Sequence, residues 1–331
     1  MLNKRGLSLK LLIKPLFVHP ARFGFFFLTF SFLYFVYVTV TPETINYPYN
    51  TYLGYPLTIE DNPYTINTSD CRNYTVVIIV HSAVTNFRKR QVIRKTWGNK
   101  ALLTKYGMKL VFFLGMPYNS DLQVLINEES VEHNDIVQGN FLDSYTNITH
   151  KAVLWLRWVS ENCASSKTVL KLDDDVFVNV FLFRYYLHTF DTSKRQIWCE
   201  LKLAGEQPIQ RRKGLKWRVA DHELKGLKYF PATMCRGYFV ILTIQSVPPM
   251  YEAAKHTPFF WIDDFYIFGT LANKTGSQIL SLVNYLAEEK EAFRCFSSTK
   301  RLCDLLGVLL DSESAMEMLW AHTVYQVNSL S

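Results

Sequence analysis

The sequence predicts an α/β domain with a parallel sheet, placed behind an N-terminal transmembrane helix. Two observations predict the domain. Apolar runs alternate with helical patterns from residue 74 onward, and 49% of the 331 residues are hydrophobic, which is enough for a sizeable core. A third observation predicts the transmembrane helix, because residues 23–40 contain no charged side chain.

Residues 23–40, FGFFFLTFSFLYFVYVTV, are long enough to cross a membrane as a signal anchor. Eighteen helical residues measure about 27 Å, close to the hydrocarbon thickness of an early secretory membrane. Five cations and no acid precede them, so residues 1–22 are expected to be a cytosolic tail and the bulk of the chain to be lumenal. A cleavable signal peptide is the alternative, but its apolar region is usually shorter and ends in small residues. We therefore expect a single-pass type II membrane protein.

Most of the positive charge excess lies in that tail. The formal net charge is +7, but removing the five cations from 36 basic residues leaves 31 against 29 acidic residues. A nucleic-acid-binding protein needs a basic face on its folded part. We therefore expect no nucleic-acid partner.

All cysteines and glycosylation sequons lie after residue 40. Six cysteines are disulfide candidates, and the sequence does not choose among fifteen complete pairings: Cys71, Cys163, Cys199, Cys235, Cys295 and Cys303. Their spacing is not that of a zinc site. The four sequons begin at Asn67, Asn73, Asn147 and Asn273. We expect Asn67 and Asn73 to carry glycan most readily, because they lie in a polar segment.

The predicted elements follow in chain order. Residues 41–73 are rich in Pro, Tyr, Asn and Thr without any period, which predicts an extended lumenal stem. Buried strands are predicted at 74–80, 109–115 and 168–172. Helices are predicted at 87–97, with Asn86 as N-cap, at 121–130 and at 147–163. Residues 74–331 are therefore expected to form the α/β domain.

Three aspartates, Asp173, Asp174 and Asp175, directly follow the strand at 168–172. Neighbouring carboxylates raise one another's pKa, so such a triplet usually accompanies a cation or a solvated turn. In open α/β sheets, ligands bind at the carboxyl ends of the strands, where this triplet lies. The triplet is therefore a candidate ligand site.

Four interpretations of the triplet compete. A solvated acidic turn is the simplest, and a phosphotransferase site stays open although the chain has no Gly-x-x-x-x-Gly-Lys loop. An EF-hand is excluded, because Val178 and Arg184 occupy the positions of its glycine and its glutamate. An Asp-x-Asp site instead holds Mn²⁺ or Mg²⁺, which bridges a diphosphate. The lumenal location favours this last interpretation, because nucleotide sugars are supplied there, and we predict a glycosyltransferase.

Several segments resemble, in order and spacing, the motifs of the β-1,3-galactosyltransferase family. They are RQVIRKTW (90–97), VFFLG (111–115), EES (128–130) with NDIVQGNFLDSYTNITHK (134–151), and KLDDDVFVN (171–179). The resemblance runs from about Val76 to Gly269. It implies the Rossmann-like GT-A fold, a UDP-sugar donor, Mn²⁺ with Mg²⁺ as an alternative, and inversion at the anomeric carbon. The N-acetylglucosaminyl and fringe-like branches share most of these motifs.

The resemblance also implies roles for the acidic residues. Asp175 and Asp173 would hold the metal, and Asp174 would lie against the uridine ribose. The segment FFWIDDFYIFG (259–269) resembles the motif that supplies the catalytic base, with Asp264 as first candidate and Asp263 as second. An inverting enzyme needs such a carboxylate to accept the proton of the acceptor hydroxyl. The alternative is an ordinary acidic helix start.

Other residues are assigned to donor binding. By the resemblance, Ser82 and Gly237 lie near the donor. Arg90 and Arg94 share a helix face, and two interpretations stay open: contact with phosphate or uracil, which makes them donor-binding candidates, and structural pairing with acids, which is at least as well supported. Lys151 is a candidate phosphate contact in a motif, residues 143–151, whose role is otherwise architectural.

Three departures from the family pattern are expected to matter. Thr233 stands where the family has a cysteine, and Cys235 stands where it has the first of two glycines. The side chain of Cys235 would crowd the donor pocket, and the disulfide pattern would be rearranged. Leu309 replaces a frequent histidine, so the metal would depend more on diphosphate and water. Phe265 replaces a valine and would alter the acceptor pocket.

The sequence therefore predicts a Golgi β-1,3-galactosyltransferase. It would transfer galactose from UDP-galactose to a sugar hydroxyl of a glycoprotein or glycolipid. A β-1,3-N-acetylglucosaminyltransferase and a non-catalytic pseudoenzyme that binds glycans or partner proteins are the alternatives.

Overall fold

The structure of the protein is a computed structural model that describes residues 63–68, 71–297 and 303–330. The predicted cytosolic tail, the signal anchor and most of the predicted stem lie outside these residues. Among the helices of the described part, none is both long and apolar enough to cross a membrane.

Strands and helices alternate through most of the chain. The strands are β1 Tyr64–Ile66, β2 Val76–His81, β3 Met108–Met116, β4 Ile136–Leu142, β5 Thr168–Asp173, β6 Val176–Val178, β7 Gln196–Lys202, β8 Met234–Thr243, β9 Gln278–Ser281, β10 Leu286–Glu288 and β11 Gly307–Leu309. The helices are α1 Phe87–Lys95, α2 Lys100–Lys105, α3 Ser120–His133, α4 Ile148–Asn162, α5 Val180–Tyr186, α6 Val247–Ala254, α7 Asp263–Phe265, α8 Ala272–Lys274, α9 Glu289–Phe296 and α10 Glu313–Leu330. A π-helical segment, Tyr266–Leu271, joins α7 to α8.

Among the described residues, the main sheet has eight strands in the order β1-β4-β3-β2-β5-β8-β7-β9, and β10, β11 and β6 form a second sheet. Strands β4, β3, β2 and β5 run parallel. The chain builds outward from β2 through β3 to β4 and then returns to place β5 on the other side of β2. This reversal is a topological switch point, where open α/β sheets bind their ligands.

Both faces of the main sheet are covered, which explains the continuous apolar character of its central strands. One face packs against α4 and α6, with Val77 and Ile79 of β2 against Trp155 of α4 in one buried cluster. The other face packs against α1, α10 and the small sheet, with Ile78 and Val80 of β2 in that cluster. Ala152, Trp155 and Val159, which recur at helical spacing along α4, are buried in this core.

The predicted strands and helices are confirmed with small changes at their ends. Regular structure begins before residue 74, where the boundary between stem and domain is predicted. Residues 64–66 form an edge strand that pairs antiparallel with β4, and the Thr68 hydroxyl donates to the Asn134 carbonyl at 2.6 Å. This strand is too short to show a period in the sequence, and only its pairing with β4 reveals it.

All six cysteines form disulfides, in the pairs Cys71–Cys163, Cys199–Cys235 and Cys295–Cys303. The first bond ties the segment after β1 to the end of α4. The second joins neighbouring strands β7 and β8. The third closes the segment between α9 and β11.

Candidate active site

The carboxyl ends of β2 and β5 meet at the switch point. The two strands are in register, so that His81, the last residue of β2, lies opposite Asp173, the last residue of β5. The aspartate triplet is therefore next to the loop that leads from β2 into α1. The predicted position of the triplet at the carboxyl end of a parallel strand is confirmed, and this is the edge at which open α/β sheets generally bind ligands.

Asp174 organises that loop. Its Oδ2 accepts hydrogen bonds from the Ser82 hydroxyl at 2.7 Å and from the Asn86 amide at 2.8 Å. Its Oδ1 accepts one from the Lys89 ammonium at 3.0 Å. Because protein groups satisfy both oxygens and the residue is buried, Asp174 shapes the loop and does not present a free carboxylate to a ribose. Asn86 holds the N-cap position, but its side chain bonds Asp174 and makes no capping hydrogen bond.

A chain of polar contacts connects the triplet with the second acidic pair. The Lys171 ammonium donates to Asp173 Oδ1 at 2.8 Å and to the Gly237 carbonyl at 2.7 Å. The Gly237 N–H donates to Asp264 Oδ1 at 2.9 Å. The structure thus brings the predicted metal ligand Asp173 and the predicted base Asp264 to the same edge of the sheet, with Gly237 between them.

The second acidic pair lies in a poorly solvated environment. Burial raises the pKa of Asp264 well above its ordinary value, and the charge of Asp263 raises it further. Burial also raises the pKa of Asp263, partly offset by Lys171. Phe265 is fully buried and packs against Phe230 and Phe260, so it supports the pair from the core. A carboxylate with a raised pKa is better suited to accept a proton near neutral pH.

Asp175 is the most accessible carboxylate of the triplet, with 39% of its side chain exposed. Burial raises its pKa, and so does the charge of Asp173, while Lys89 opposes them at 3.5 Å. Asp175 also lines a cavity with Asp311, Ser312 and Glu313 at the start of α10. A divalent cation would relieve the repulsion between Asp173 and Asp175, so the residues fit such an ion.

The protein does not enclose that ion on its own. Within residues 63–68, 71–297 and 303–330, no three carboxylate, imidazole or thiol groups converge as a preformed metal site. Leu309, in the place of the expected histidine, pairs with Val176, and the next N–H, of Leu310, donates to the Asp175 carbonyl. A divalent ion with one or two protein carboxylates completes its coordination with substrate phosphate and water.

The two predicted donor-binding arginines pair with acids. Arg90 is fully buried and donates to Glu129 through Nε and Nη2 at distances of 2.6–3.1 Å. Arg94 binds both Glu129 at 2.6 Å and Asp135 at 2.8 Å. For Arg90 the structure shows the second interpretation, pairing with an acid, and its guanidinium is fully buried. Arg94 is also engaged in pairing with acids, at a position closer to the protein surface.

Lys151 and Cys235 also have structural roles. The Lys151 ammonium is buried and donates to the Ser82 carbonyl at 2.6 Å and to Asp143 at 2.9 Å, so it braces the β2–α1 loop and is not positioned as a phosphate contact. Cys235 is fully buried in its bond with Cys199. Contrary to the expectation, its sulfur therefore does not crowd a donor pocket.

Sequence reasoning missed several residues of the site. Lys171 is buried and lies two positions before Asp173, on the same face of β5. A lysine inside an apolar strand is unusual, and this feature of the sequence could have identified it as a site residue. His81 is 5% exposed, and neither ring nitrogen has a hydrogen-bond partner within the described chain. Burial lowers its pKa, as do Lys171 and Lys151, so the imidazole is neutral near neutral pH.

The four sequons differ in accessibility. Asn67, Asn73 and Asn273 are exposed, although the Asn67 carbonyl oxygen accepts a hydrogen bond from the Trp158 indole at 2.8 Å. The Asn147 amide is half-buried and donates to the Leu142 carbonyl at 2.9 Å. A glycan on Asn147 would be attached to this same nitrogen and would replace one of its two hydrogens.

Comparison with curated proteins finds relatives that are glycosyltransferases by name. Lactosylceramide 1,3-N-acetyl-beta-D-glucosaminyltransferase A of Danio rerio is 34% identical over 217 residues, which is 62% of this chain and 56% of that protein. Beta-1,3-galactosyltransferase brn of Drosophila melanogaster is 34% identical over 205 residues, or 61% of this chain and 60% of that protein. Beta-1,3-galactosyltransferase 5 of Homo sapiens is 30% identical over 201 residues, or 60% and 64%. The match thus spans less than two thirds of each relative.

A solved structure of a glycosyltransferase involved in the glycosylation of the major capsid of PBCV-1 aligns with 74% of this chain and 98% of that chain. Its TM-score is 0.40 and its identity 10%, which is too low to bear on fold or function. The family model described as Galactosyltransferase matches residues 88–283. This match includes β3, β4 and β5, the aspartate triplet and the second acidic pair, and it spans more than half of the sequence. The chain therefore belongs to the Galactosyltransferase family.

Proposed function

We propose that this chain is a glycosyltransferase with the GT-A fold that transfers galactose from UDP-galactose to a sugar hydroxyl of a glycoprotein or glycolipid. The product would be a β-1,3 linkage formed with inversion. The observation that carries the proposal is the contact chain from Asp173 through Lys171 and Gly237 to Asp264. Membership of the Galactosyltransferase family supports it.

Asp175 and Asp173 would hold Mn²⁺, with Mg²⁺ as an alternative, because they provide the hard oxygen ligands that these ions prefer. When bound, the ion neutralises charge that develops on the departing UDP. Lys89, between Asp174 and Asp175, adds a fixed cation beside the same diphosphate position. The β2–α1 loop that Asp174 organises forms the wall of this donor site.

Asp264 would act as the general base. It accepts the proton of the acceptor hydroxyl as that oxygen attacks the anomeric carbon on the side opposite UDP. The Gly237 N–H orients its carboxylate, and Lys171 lies close enough to balance the negative charge of the site. Asp263 raises the pKa of Asp264 and is the second candidate for the same role.

We propose that the enzyme works in the Golgi lumen as a single-pass type II protein. The apolar segment 23–40 and the cations before it support this placement. The three disulfides support an oxidising compartment.

A β-1,3-N-acetylglucosaminyltransferase is the second candidate. One relative with 34% identity carries that activity in its name. Both candidates use the same catalytic groups, so only the donor separates them.

The test is a donor and acceptor screen on the purified full-length chain with Mn²⁺. UDP-galactose and UDP-N-acetylglucosamine are each offered with a panel of glycans, and products are identified by mass spectrometry. We expect transfer from one donor, its loss on chelation, and its loss in Asp175→Asn. The exposed control Asp121→Asn should remain active. Absence of transfer from either donor, with UDP binding intact, would indicate a pseudoenzyme.

A further inference from the structure

The segment between β7 and β8 carries the positive charge of the folded part. Residues 203–233 contain seven Lys or Arg and three Asp or Glu, whereas the rest of the chain after residue 40 contains 24 basic and 26 acidic residues. A separation of this kind creates a local potential that the total charge conceals. The segment is therefore a basic surface on an otherwise slightly acidic domain.

Most of this charge is available to a ligand. Arg211 donates to the carbonyls of Val219, Ala220 and Leu224, and Arg218 contacts Asp221 at 3.5 Å, so these two arginines order the segment itself. The other five cations are exposed and form no ion pair with any described residue: Arg212, Lys213, Lys216, Lys225 and Lys228. We call these five residues the basic surface.

Three aromatic rings connect the basic surface with the acidic pair. The Tyr145 ring centroid lies 6.1 Å from that of Trp217 and 6.2 Å from that of Trp261. Trp217 is 51% exposed, and the Trp261 indole donates to Glu223 at 3.4 Å. Trp261 lies two residues before Asp263 in the chain, so the aromatic rings reach the second acidic pair. Burial raises the pKa of Tyr145, and the charges of Asp263 and Asp264 raise it further. We call Tyr145, Trp217 and Trp261 the aromatic platform.

Lys216 joins the two features. Its ammonium lies 4.2 Å from the Tyr145 ring centroid and 5.7 Å from that of Trp217. An exposed aromatic face offers apolar contact to the C–H groups of a sugar ring, and a cation above its edge is placed to meet an anionic substituent on that ring. A neutral acceptor would need the platform but would leave the five cations without a partner.

We propose that the acceptor is an anionic saccharide, whose ring lies on the aromatic platform and whose sulfate or carboxylate groups meet Lys216 and the rest of the basic surface. This inference rests on the proposed transfer to a sugar hydroxyl and names the class of acceptor. The platform positions the hydroxyl near Asp264, and the basic surface selects for charge. Phosphate groups on a lipid membrane would offer similar charge without a sugar ring, so the test includes them.

The experiment compares matched acceptors on the full-length chain. A neutral oligosaccharide, its sulfated form and its uronic-acid form are each assayed for KM, with the transferable donor in excess. We expect both anionic forms to have a lower KM than the neutral form, by roughly fivefold. The difference should shrink in 0.5 M salt, because screening shortens the reach of exposed charges to below about 8 Å. Equal KM values for charged and neutral forms would overturn the proposal.

Matched variants separate charge from stacking. Arg212→Gln with Lys213→Gln should raise the KM of the anionic acceptor roughly fivefold more than that of the neutral one, and the KM of the donor should not respond. Lys100→Gln with Lys105→Gln removes the same charge from α2, whose two lysines are exposed, and should change neither value. Trp217→Ala should raise the KM of charged and neutral acceptors alike. If the Arg212 and Lys213 variant only lowers binding to vesicles that contain anionic lipid, the surface binds a membrane and the proposal is wrong.

Direct binding distinguishes failure of this inference from failure of the proposed function. Titration calorimetry with the sulfated and neutral oligosaccharides needs no turnover. A chain that transfers no sugar but binds the sulfated form through Arg212 and Lys213 would refute the proposed catalysis and retain the inference. A chain that transfers sugar but binds the sulfated and neutral forms equally would support the proposed catalysis and refute the inference about the acceptor.

Discussion

At the scale of single residues, Asp264 and Gly237 depend on each other. The carboxylate is held by a main-chain N–H of β8, and a side chain at Gly237 would overlap Asp264 Oδ1. The glycine is therefore required by close approach and not by an unusual backbone angle. This contact explains why one glycine of the family pattern is present although Cys235 replaces another.

The role of Asp264 predicts that activity and stability separate on substitution. Asp264→Asn keeps the size of the side chain and an oxygen for the Gly237 N–H, but it removes the proton acceptor. We expect kcat to fall by about 10²–10⁴, the usual contribution of a general base. The melting temperature should equal or exceed that of the parent, because the variant no longer holds a charge in a site that disfavours it. A variant that melts earlier and retains kcat would show that Asp264 is only a structural residue.

The raised pKa of Asp264 also predicts an unusual pH profile. The base must be deprotonated, so activity is present above this pKa and is lost as the pH falls through it. We expect the acidic limb of kcat/KM to lie above the ordinary aspartate range of about 3.9. Asp263→Asn removes one cause of the shift and should move the limb to lower pH. A limb near pH 4 in the parent chain would contradict the assignment.

The raised pKa of Asp264 makes the stability of the fold fall as the pH rises, whereas activity rises with pH. A carboxyl group whose folded-state pKa is raised stabilises the fold at low pH, and that contribution is lost as the pH rises through the folded pKa. The fold is therefore penalised under the conditions in which the base is active. Asp264→Asn should accordingly reduce the loss of stability between acidic and neutral pH.

At the scale of elements, ion pairs between Arg90 and Arg94 of α1 and Glu129 of α3 hold these two helices together next to the proposed donor site. Burial raises the pKa of Glu129 on α3, but Arg90 and Arg94 of α1 outweigh it and lower that pKa overall. These ion pairs fix the position of α1, which carries Lys89 next to the aspartate triplet. The two arginines thus affect the donor site through the position of the helix.

This arrangement predicts that Arg90→Ala acts on stability. Removal of one partner leaves a buried carboxylate incompletely compensated, and we expect a loss of about 3–5 kcal/mol in the free energy of unfolding. Arg88→Ala, at an exposed position of the same helix, should cost at most about 1 kcal/mol. Arg90→Met with Glu129→Leu should recover most of the loss. Denaturant unfolding measures these values, and UDP titration provides the second readout. Normal stability with lost UDP binding in Arg90→Ala would restore the direct donor role.

At the scale of the whole molecule, the sequence predicted what depends on local pattern. Apolar runs at residues 74–80, 109–115 and 168–172 predicted the central strands, and the end of the last run located the aspartate triplet. Lys171, His81 and the aromatic platform were missed, because their importance comes from neighbours that are distant in sequence. The sequence did not decide between donor contact and acid pairing for Arg90 for the same reason, since its partner Glu129 lies on another helix.

The limits of the folded domain provide the last prediction. Residues before 74 contribute the edge strand β1, a hydrogen bond from Tyr64 to Glu161 at 2.8 Å and the Cys71–Cys163 disulfide, which closes a loop of 92 residues. A chain that begins at residue 63 should keep the parent melting temperature, whereas one that begins at residue 74 should lose it. The missing disulfide alone accounts for about 2–5 kcal/mol, which corresponds to a decrease of roughly 10 °C in a domain of this size. Cys71→Ala with Cys163→Ala in the longer chain is the matched control, and it should account for most but not all of the decrease. Equal melting temperatures for the two truncated chains would show that the domain does begin at residue 74 and that the first strand adds nothing to its stability.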